Sequence, residues 1–137
     1  MSSEQRNILT TLDELDYEVS VESDGTRVLN VKFDDGRYQA VFISAKTDSV
    51  CGVDVRDIWS PAFKAKRKIT DKLAYELLCN NRHRVIGSWV LDPDENLVYF
   101  SAKMPDSISA KELDAVIIGV ASDADRLEKK LDGNDNL

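Results

Sequence analysis

The chain has 137 residues, of which 42% are hydrophobic, so it is long enough for one domain with a sizeable core. Its 25 acidic residues outnumber its 18 Lys and Arg residues, which gives a net charge of −7. This acidity argues against nucleic acid and anionic membranes as the main partners, because their phosphates would be repelled over most of the surface.

The N-terminal residues predict a helix followed by an edge strand. Ser2 or Ser3 can cap the helix, with Gln5 as a capping-box partner, and the helix should end near Asp16. From Tyr17 to Glu22 apolar and polar residues alternate, as in a strand with one solvated face.

Two strands joined by a tight hairpin follow. Leu29 to Phe33 alternates, and the turn Asp34 to Arg37 contains the Asp-Gly pair typical of such hairpins. Tyr38 to Ala45 is apolar on both faces, which predicts a central strand covered on both sides. Since the predicted helices cover one side, a second apolar surface should exist and be buried by dimerisation.

The segment after this strand is less clearly marked. Val50 to Val55 either extends the sheet or leads as a loop to Ile58 and Trp59. Pro61 bars an uninterrupted strand from there into the next helix, because proline cannot donate to a strand ladder.

A central helix is predicted over Asp71 to Asn80, with Thr70 as its N-cap. Asn80 and Asn81 can end it, because Asn tolerates the left-handed conformation that a helix C-cap often needs. The helix is therefore predicted to end at a polar elbow.

An antiparallel hairpin follows the elbow. Val85, Gly87, Trp89 and Leu91 lie on one predicted strand face. A polar turn from Asp92 to Asn96 then leads into the strand Leu97 to Lys103.

The last helix is opened by a capping box of Ser109 and Glu112, with Ile108 and Leu113 placed for a hydrophobic staple. Its predicted apolar stripe consists of Leu113, Val116, Ile117, Val120, Ala124, Leu127 and Leu131. Asp132 to Leu137 is predicted to be a disordered tail.

These elements predict an α+β fold: an antiparallel sheet of about five strands with helices on one face, in the order α-β-β-β-α-β-β-α. They form one domain, residues 1–131, followed by a tail, residues 132–137. No internal repeat or low-complexity linker is visible in the sequence.

The run LLCNNRHRVIGSWVLD, from Leu77 to Asp92, resembles the YbjN-type domain family and, more broadly, the type III secretion chaperone-like fold. The strand Leu97 to Ala102 and the helix opened by Ser109 continue a resemblance that covers about Gln5 to Leu131. It implies a small, acidic, bacterial cytoplasmic domain, often dimeric, related in architecture to proteins that hold an extended segment of another polypeptide. It implies no catalytic residues.

Two features depart from the family pattern. Cys79 stands where an aliphatic or small residue is expected, and Trp59-Ser60-Pro61 with the basic run after it has no match in the family.

The cysteines are interpreted as reduced, partly buried residues, with a disulfide between Cys51 and Cys79 as the alternative. Cys79 and His83 have a helical metal-ligand spacing, but the two Asn between them should break that helix, so no metal site is predicted. The sequence contains no nucleophile motif, calcium loop or Gly-rich phosphate loop. We therefore predict no catalytic residue and no cofactor.

A charge asymmetry marks a candidate binding surface. Arg56 to Arg84 contains eight basic and three acidic residues, whereas Met1 to Gly25 contains one basic and seven acidic residues. The basic stretch is either a solvated loop or a docking patch for an acidic partner or for the acidic end of a second copy. The candidate partner-binding residues are Trp59, Lys64, Lys66, Arg67, Lys68, Arg82, His83 and Arg84.

The two tryptophans are predicted to differ in role. Trp59, in a loop, is the better candidate for partner contact, whereas Trp89 is expected to be a core residue. Together with the basic residues they could form one aromatic surface rimmed by positive charge.

The sequence therefore predicts a non-enzymatic protein-interaction domain, chaperone-like or adaptor-like, that binds a partner polypeptide or forms a homodimer. A dedicated type III secretion chaperone is one alternative. A small-ligand-binding enzyme is another, and it would need a deep polar pocket with a perturbed ionisable group. The N-terminus lacks the basic and apolar segments of a signal peptide, so we expect a cytoplasmic protein with no membrane partner.

Overall fold

The computed structural model describes residues 6–132 and has the predicted α+β fold. The elements in chain order are α1 (Ile8–Leu12), β1 (Ser20–Val21), β2 (Arg27–Lys32), β3 (Tyr38–Ile43), β4 (Asp48–Val50), β5 (Val53–Lys64), α2 (Asp71–Asn80), β6 (Ser88–Asp92), β7 (Leu97–Pro105) and α3 (Ala110–Asp132). The sequence predicted about five strands, and the seven-stranded sheet adds β4 and β5. Within residues 6–132, no helix combines the length and the apolar character that crossing a bilayer requires.

The two faces of the sheet differ in their cover. The strand order is β1-β2-β3-β5-β7-β6, with β4 paired to the start of β5, and every pairing is antiparallel. Because successive side chains of a strand point to opposite faces, burial alternates along β3, where Val41 and Ile43 are buried and Tyr38 is 60% exposed. We call the buried side the inner face and the opposite side the outer face.

Helix α3 covers the inner face and packs against β2, β3, β5 and β7. All seven residues of its predicted apolar stripe are buried. The predicted capping box is confirmed, since the Glu112 N–H donates to Ser109 Oγ at 3.1 Å and the Ser109 N–H donates to Glu112 Oε1 at 2.9 Å. Hydrogen bonds from Ser109, the backbone bond first, lower the pKa of Glu112. Asp132 is helical rather than part of the predicted tail, and residues 133–137 lie outside the described residues.

The first helix differs from its prediction. Its N-cap is Asn7, whose side chain accepts a hydrogen bond from the Thr10 N–H at 3.0 Å, and the helix ends at Leu12 rather than near Asp16. The predicted caps at residues 2, 3 and 5 lie outside the described residues. The predicted strand Tyr17 to Glu22 shortens to β1, which is an edge strand as predicted.

Strand β5 runs through Pro61, so the prediction that Pro61 bars an uninterrupted strand is wrong. The pairing with β7 shifts register between Pro61 and Phe63, which accommodates the proline. On the β3 side the paired register ends at Trp59, and two side chains bridge the strands beyond it. Gln39 Nε2 donates to the Pro61 carbonyl at 2.5 Å and Ser60 Oγ donates to the Ala40 carbonyl at 2.6 Å.

Helix α2 has the predicted bounds and the predicted N-cap, Thr70, whose side chain accepts from the Leu73 N–H at 3.2 Å. Its predicted left-handed end is wrong: Asn81 has φ −53° and starts a 3₁₀ turn over Asn81–His83. The Asn81 side chain instead pairs with the backbone of Trp89 in β6. Asn81 Oδ1 accepts from the Trp89 N–H at 2.6 Å, and Asn81 Nδ2 donates to the Trp89 carbonyl at 3.4 Å.

The strand after the elbow begins later than predicted, at Ser88. Val85 is 98% exposed in the preceding loop, and Gly87 has φ +75°. A Cβ at Gly87 would lie 2.5 Å from the Ser101 carbonyl oxygen and 2.9 Å from a ring carbon of Phe100. The loop therefore requires glycine, both for its left-handed conformation and for its close approach to β7.

Both cysteines are free, as the preferred interpretation of the sequence held, so the alternative of a Cys51–Cys79 disulfide does not hold. Their predicted partial burial is wrong, because both are exposed. Cys51 lies at the tip of the β4–β5 hairpin with φ 50°, and Cys79 lies on the solvent side of α2.

Candidate protein-interaction surface

The outer face of the sheet carries apolar side chains that no helix of residues 6–132 covers. Its centre consists of six half-buried or exposed residues: Tyr38, Phe42, Trp59, Pro61, Val90 and Tyr99. The sequence predicted cover on both faces of Tyr38 to Ala45, but within the described chain only the inner face of β3 is covered.

An aromatic stack lies in the middle of the outer face. Trp59 on β5 pairs in register with Phe42 on β3, and the two ring centroids are 5.5 Å apart with 16° between the ring planes. The prediction of a loop at Trp59 is wrong, because the residue lies in the middle of β5. Stacked rings of this kind present a rigid apolar contact, as aromatic residues at interface centres do.

Charged residues lie at both ends of the outer face. At one end Asp57 is the cross-strand neighbour of Lys103 on β7 and accepts a hydrogen bond from Ser101 Oγ. At the other end Lys32 Nζ lies 5.8 Å from the centroid of the Tyr38 ring, within the range of a cation–π interaction. The outer face is therefore apolar at its centre and carries both signs of charge around it.

Tyr99 lies between these two ends on β7. Burial raises the pKa of its phenol, and the charges of Asp57 and Asp92 raise it further. Like any tyrosine phenol, it is neutral at physiological pH and can donate a hydrogen bond to a partner.

The predicted basic loop, Lys64 to Lys68, has exposed cationic side chains on an ordered backbone. Asn96 holds this backbone: its Oδ1 accepts from the Ile69 N–H at 3.2 Å, and its Nδ2 donates to the carbonyls of Ala65 and Arg67. Lys66, Arg67 and Lys68 are exposed, and Lys64 lies 3.5 Å from Glu95. The loop lies at one end of β5, beyond the aromatic stack.

The other predicted basic residues lie after α2. Arg82 and His83 are exposed, and Arg82 Nε lies 3.1 Å from His83 Nε2. Arg84 is turned towards α3, where its Nη1 lies 2.9 Å from Asp123 Oδ1. Arg84 therefore attaches the elbow to α3 rather than extending the exposed basic surface.

The two tryptophans lie on opposite faces of the sheet. Trp89 packs on the inner face with its ring edge-on to Phe100, 4.9 Å between centroids, and its Nε1 donates to Asn80 Oδ1 at 2.9 Å. Trp59 lies on the outer face. The predicted surface that combines both tryptophans with the basic residues is therefore not assembled.

Arg56 belongs to the basic stretch in sequence but is buried, with 6% of its surface exposed. Its Nε and Nη2 donate to the two carboxylate oxygens of Asp106 at 2.8 and 3.1 Å, and its Nη1 donates to the carbonyls of Ser44 and Ala45. Burial raises the pKa of Asp106, but hydrogen bonds from Arg56 and the Ile8 N–H, with the Arg56 charge, lower it overall. Asp106, in the connection between β7 and α3, thus links the start of α1 to Arg56 of β5.

A polar concavity of about 240 Å³ lies at the Asp57 end of the outer face, between Lys46, Lys103 and Asp48. The partly buried groups with shifted pKa values, Tyr17, Tyr99 and Asp106, do not line it.

An apolar groove of about 200 Å³ lies between α2 and β6, lined by Leu77, Leu78 and Leu91 among others. Leu78 on α2 is 71% exposed, so this side of the helix is open to solvent.

Cys79 and His83 have the sequence spacing of two metal ligands on a helix, although no metal site was predicted there. Cys79 lies in the last turn of α2 and His83 in the 3₁₀ turn, and both are exposed. Among residues 6–132, no three His, Cys, Asp or Glu side chains are grouped as metal ligands would be.

Sequence reasoning predicted a second apolar sheet surface from Tyr38 to Ala45 but missed the part that β5 adds to it, although a signal was available. Phe42 and Trp59 each sit at alternate positions of apolar runs, yet the proline after Trp59 obscured the second strand. The resemblance to the YbjN-type family stays a prediction. No protein-family model matches the chain, and no curated protein sequence matches it significantly.

Proposed function

We propose that this chain is a non-enzymatic protein-interaction domain, adaptor-like or chaperone-like, that binds the flat apolar surface of a folded protein through its outer face. The observation that supports it most strongly is the Phe42–Trp59 stack at the centre of a sheet face that no helix of residues 6–132 covers. A monomeric protein rarely leaves such a face open, because apolar surface in water is unfavourable.

The projected size of the outer face is about half of what one partner buries in a standard protein interface. Across the sheet, the five neighbouring strands β2, β3, β5, β7 and β6 are separated by four gaps, which gives the face a width of about 19 Å. Along β5, a stretch of seven residues gives it a length of about 20 Å. The projected area is thus roughly 400 Å², and the accessible area is larger because side chains project from it. A standard interface uses about 800 Å² per partner.

The charge distribution also supports a protein partner. The strand residues of the outer face include three lysines and three aspartates: Lys32, Lys64, Lys103, Asp48, Asp57 and Asp92. A chain with net charge −7 therefore has, on this face, a surface of nearly balanced charge. Balanced charge around an apolar centre is typical of protein interfaces.

Site-specific photo-crosslinking in the native cells tests the proposal. A benzophenone amino acid replaces Tyr38 on the outer face, and a matched variant carries it at Tyr75, which is 71% exposed on α2. We expect discrete protein adducts from position 38 and few from position 75. If position 38 gives no adduct while the protein is folded by circular dichroism, the outer face is not a binding surface.

A further inference from the structure

We infer that the partner at the outer face is a second copy of this chain, packed face to face about a two-fold axis that runs along β5. This inference rests on the proposed function and names its partner. It follows from the charge, the register and the side-chain sizes of the outer face.

Charge limits how two copies can meet. Two chains of net charge −7 repel each other over most approaches. On the outer face the lysines and aspartates nearly balance, so this face allows two copies to approach without the repulsion that acidic surfaces produce.

The register places β5 in the middle of the face. Val28, Phe42, Trp59, Ser101 and Ser88 form one continuous row across β2, β3, β5, β7 and β6. A two-fold axis parallel to β5 therefore sets β3 of one copy opposite β7 of the other, and β2 opposite β6. Sheets that pack face to face keep their strands nearly aligned, as this axis requires.

Side chains on β3 and β7 match in size under this axis. Phe42 shares its row with Ser101, and two residues further along, Ala40 on β3 stands level with Tyr99 on β7. In the pair of copies, the Phe42 ring faces the small Ser101, and the Tyr99 ring faces the small Ala40. Large side chains opposite small ones let two faces interdigitate at the density of a protein interior.

Opposite charges also meet at the rim. Lys32 lies four residues beyond Val28 on β2, and Asp92 lies four residues beyond Ser88 on β6, so both stand at the same level on opposite sides of the face. Within one chain they are about 19 Å apart. Between two copies, each Lys32 faces Asp92 of the other, which gives two identical ion pairs as an isologous interface requires.

The outer-face residues of β5 lie on the axis, so Asp57, Trp59 and Lys64 each face the same residue of the other copy. Each Asp57 is accompanied by its cross-strand neighbour Lys103. An axis across the strands is the competing arrangement. It would set Asp57 opposite Lys64 and leave Lys32 and Asp92 without opposite charges.

A charge-swap experiment tests the inference by light scattering and sedimentation at micromolar concentrations. We expect the wild type to dimerise, and Lys32→Asp or Asp92→Lys alone to raise the dimer Kd roughly tenfold, since two rim pairs become repulsive. The double variant should recover the wild-type Kd. An equimolar mixture of the two single variants should also associate, because the aspartate introduced into one copy would then face the lysine introduced into the other.

Lys72→Asp on α2, an exposed lysine away from the face, is the matched control and should not change the Kd. A wild type that stays monomeric overturns the inference, and position-38 adducts to a different protein would then still support the proposed function. A dimer that ignores the Lys32 and Asp92 changes but weakens in Lys64→Asp overturns the placement of the axis.

Discussion

Removing the Asp106 carboxylate should destabilise the fold more than removing any exposed ionic partner. The Asp106 side chain is 14% exposed and that of Arg56 7%. In Asp106→Ala the buried guanidinium loses its counter-charge, and the Ile8 N–H loses an acceptor at 2.9 Å. Breaking a buried ion pair from one side costs about 3–5 kcal/mol.

Urea unfolding followed by circular dichroism measures this loss directly, and thermal unfolding gives a second estimate. At about 2.1 cal/mol/K per residue, the 137-residue chain has an unfolding entropy near 0.29 kcal/mol/K. A loss of about 3–5 kcal/mol then lowers the Tm by roughly 10–17 °C.

Glu95→Ala is the control, because its partner Lys64 is 3.5 Å away and both side chains are more than half exposed, at 64% and 68%. Exposed pairs contribute little, so this change should stay within about 0.5 kcal/mol. A loss below about 1 kcal/mol for Asp106→Ala would refute the reasoning that burial makes the Arg56 pair indispensable.

Two further predictions concern backbone shape and pH. Gly87→Ala should cost more than about 2 kcal/mol, since its Cβ would meet the Ser101 carbonyl, whereas Gly36→Ala, with φ +86° and open space, should cost only about 1 kcal/mol in urea unfolding. Equal losses would contradict the close approach. The folded-state pKa of Asp106 is lowered, so its carboxylate stabilises the fold above the unfolded pKa of about 3.9, and this contribution is lost as pH falls through the folded pKa. The stability difference between wild type and Asp106→Asn should therefore shrink below about pH 4, and a constant difference down to pH 2 would argue against it.

The elements that the sequence predicted well carry their signals locally. Thr70 and Ser109 cap helices within four residues of themselves, and the Asp-Gly turn fixes the hairpin between β2 and β3. Strand β5 was missed because the strand around Pro61 is held by contacts with residues that are far away in the sequence. Its carbonyl is reached by Gln39, 22 residues earlier in the chain.

The candidate site was harder to predict for the same reason. Whether an arginine is free for a partner depends on carboxylates far away in sequence: Arg56 is taken up by Asp106, 50 residues on, and Arg84 by Asp123, 39 residues on. A count of charges along the sequence includes these two arginines in a basic patch, but in the fold their ion pairs remove them from the exposed basic surface. Lys66, Arg67 and Lys68 stay exposed, as a loop prediction from composition implies.

The side-chain amide of Asn81 has a consequence for how the protein behaves when concentrated. At the β6 edge of the sheet, the Asn81 side chain is hydrogen-bonded to both the N–H and the carbonyl of Trp89, which a further strand would otherwise use. At the opposite edge, β1 consists of only two residues, Ser20 and Val21. Exposed edges of longer strands template fibrils, because each added strand presents a new edge. In this chain one edge strand is short and the other has backbone groups already hydrogen-bonded to Asn81, so fibril growth from either edge should be disfavoured. The protein should therefore remain dispersed at concentrations where a sheet of the same composition with open edges would precipitate.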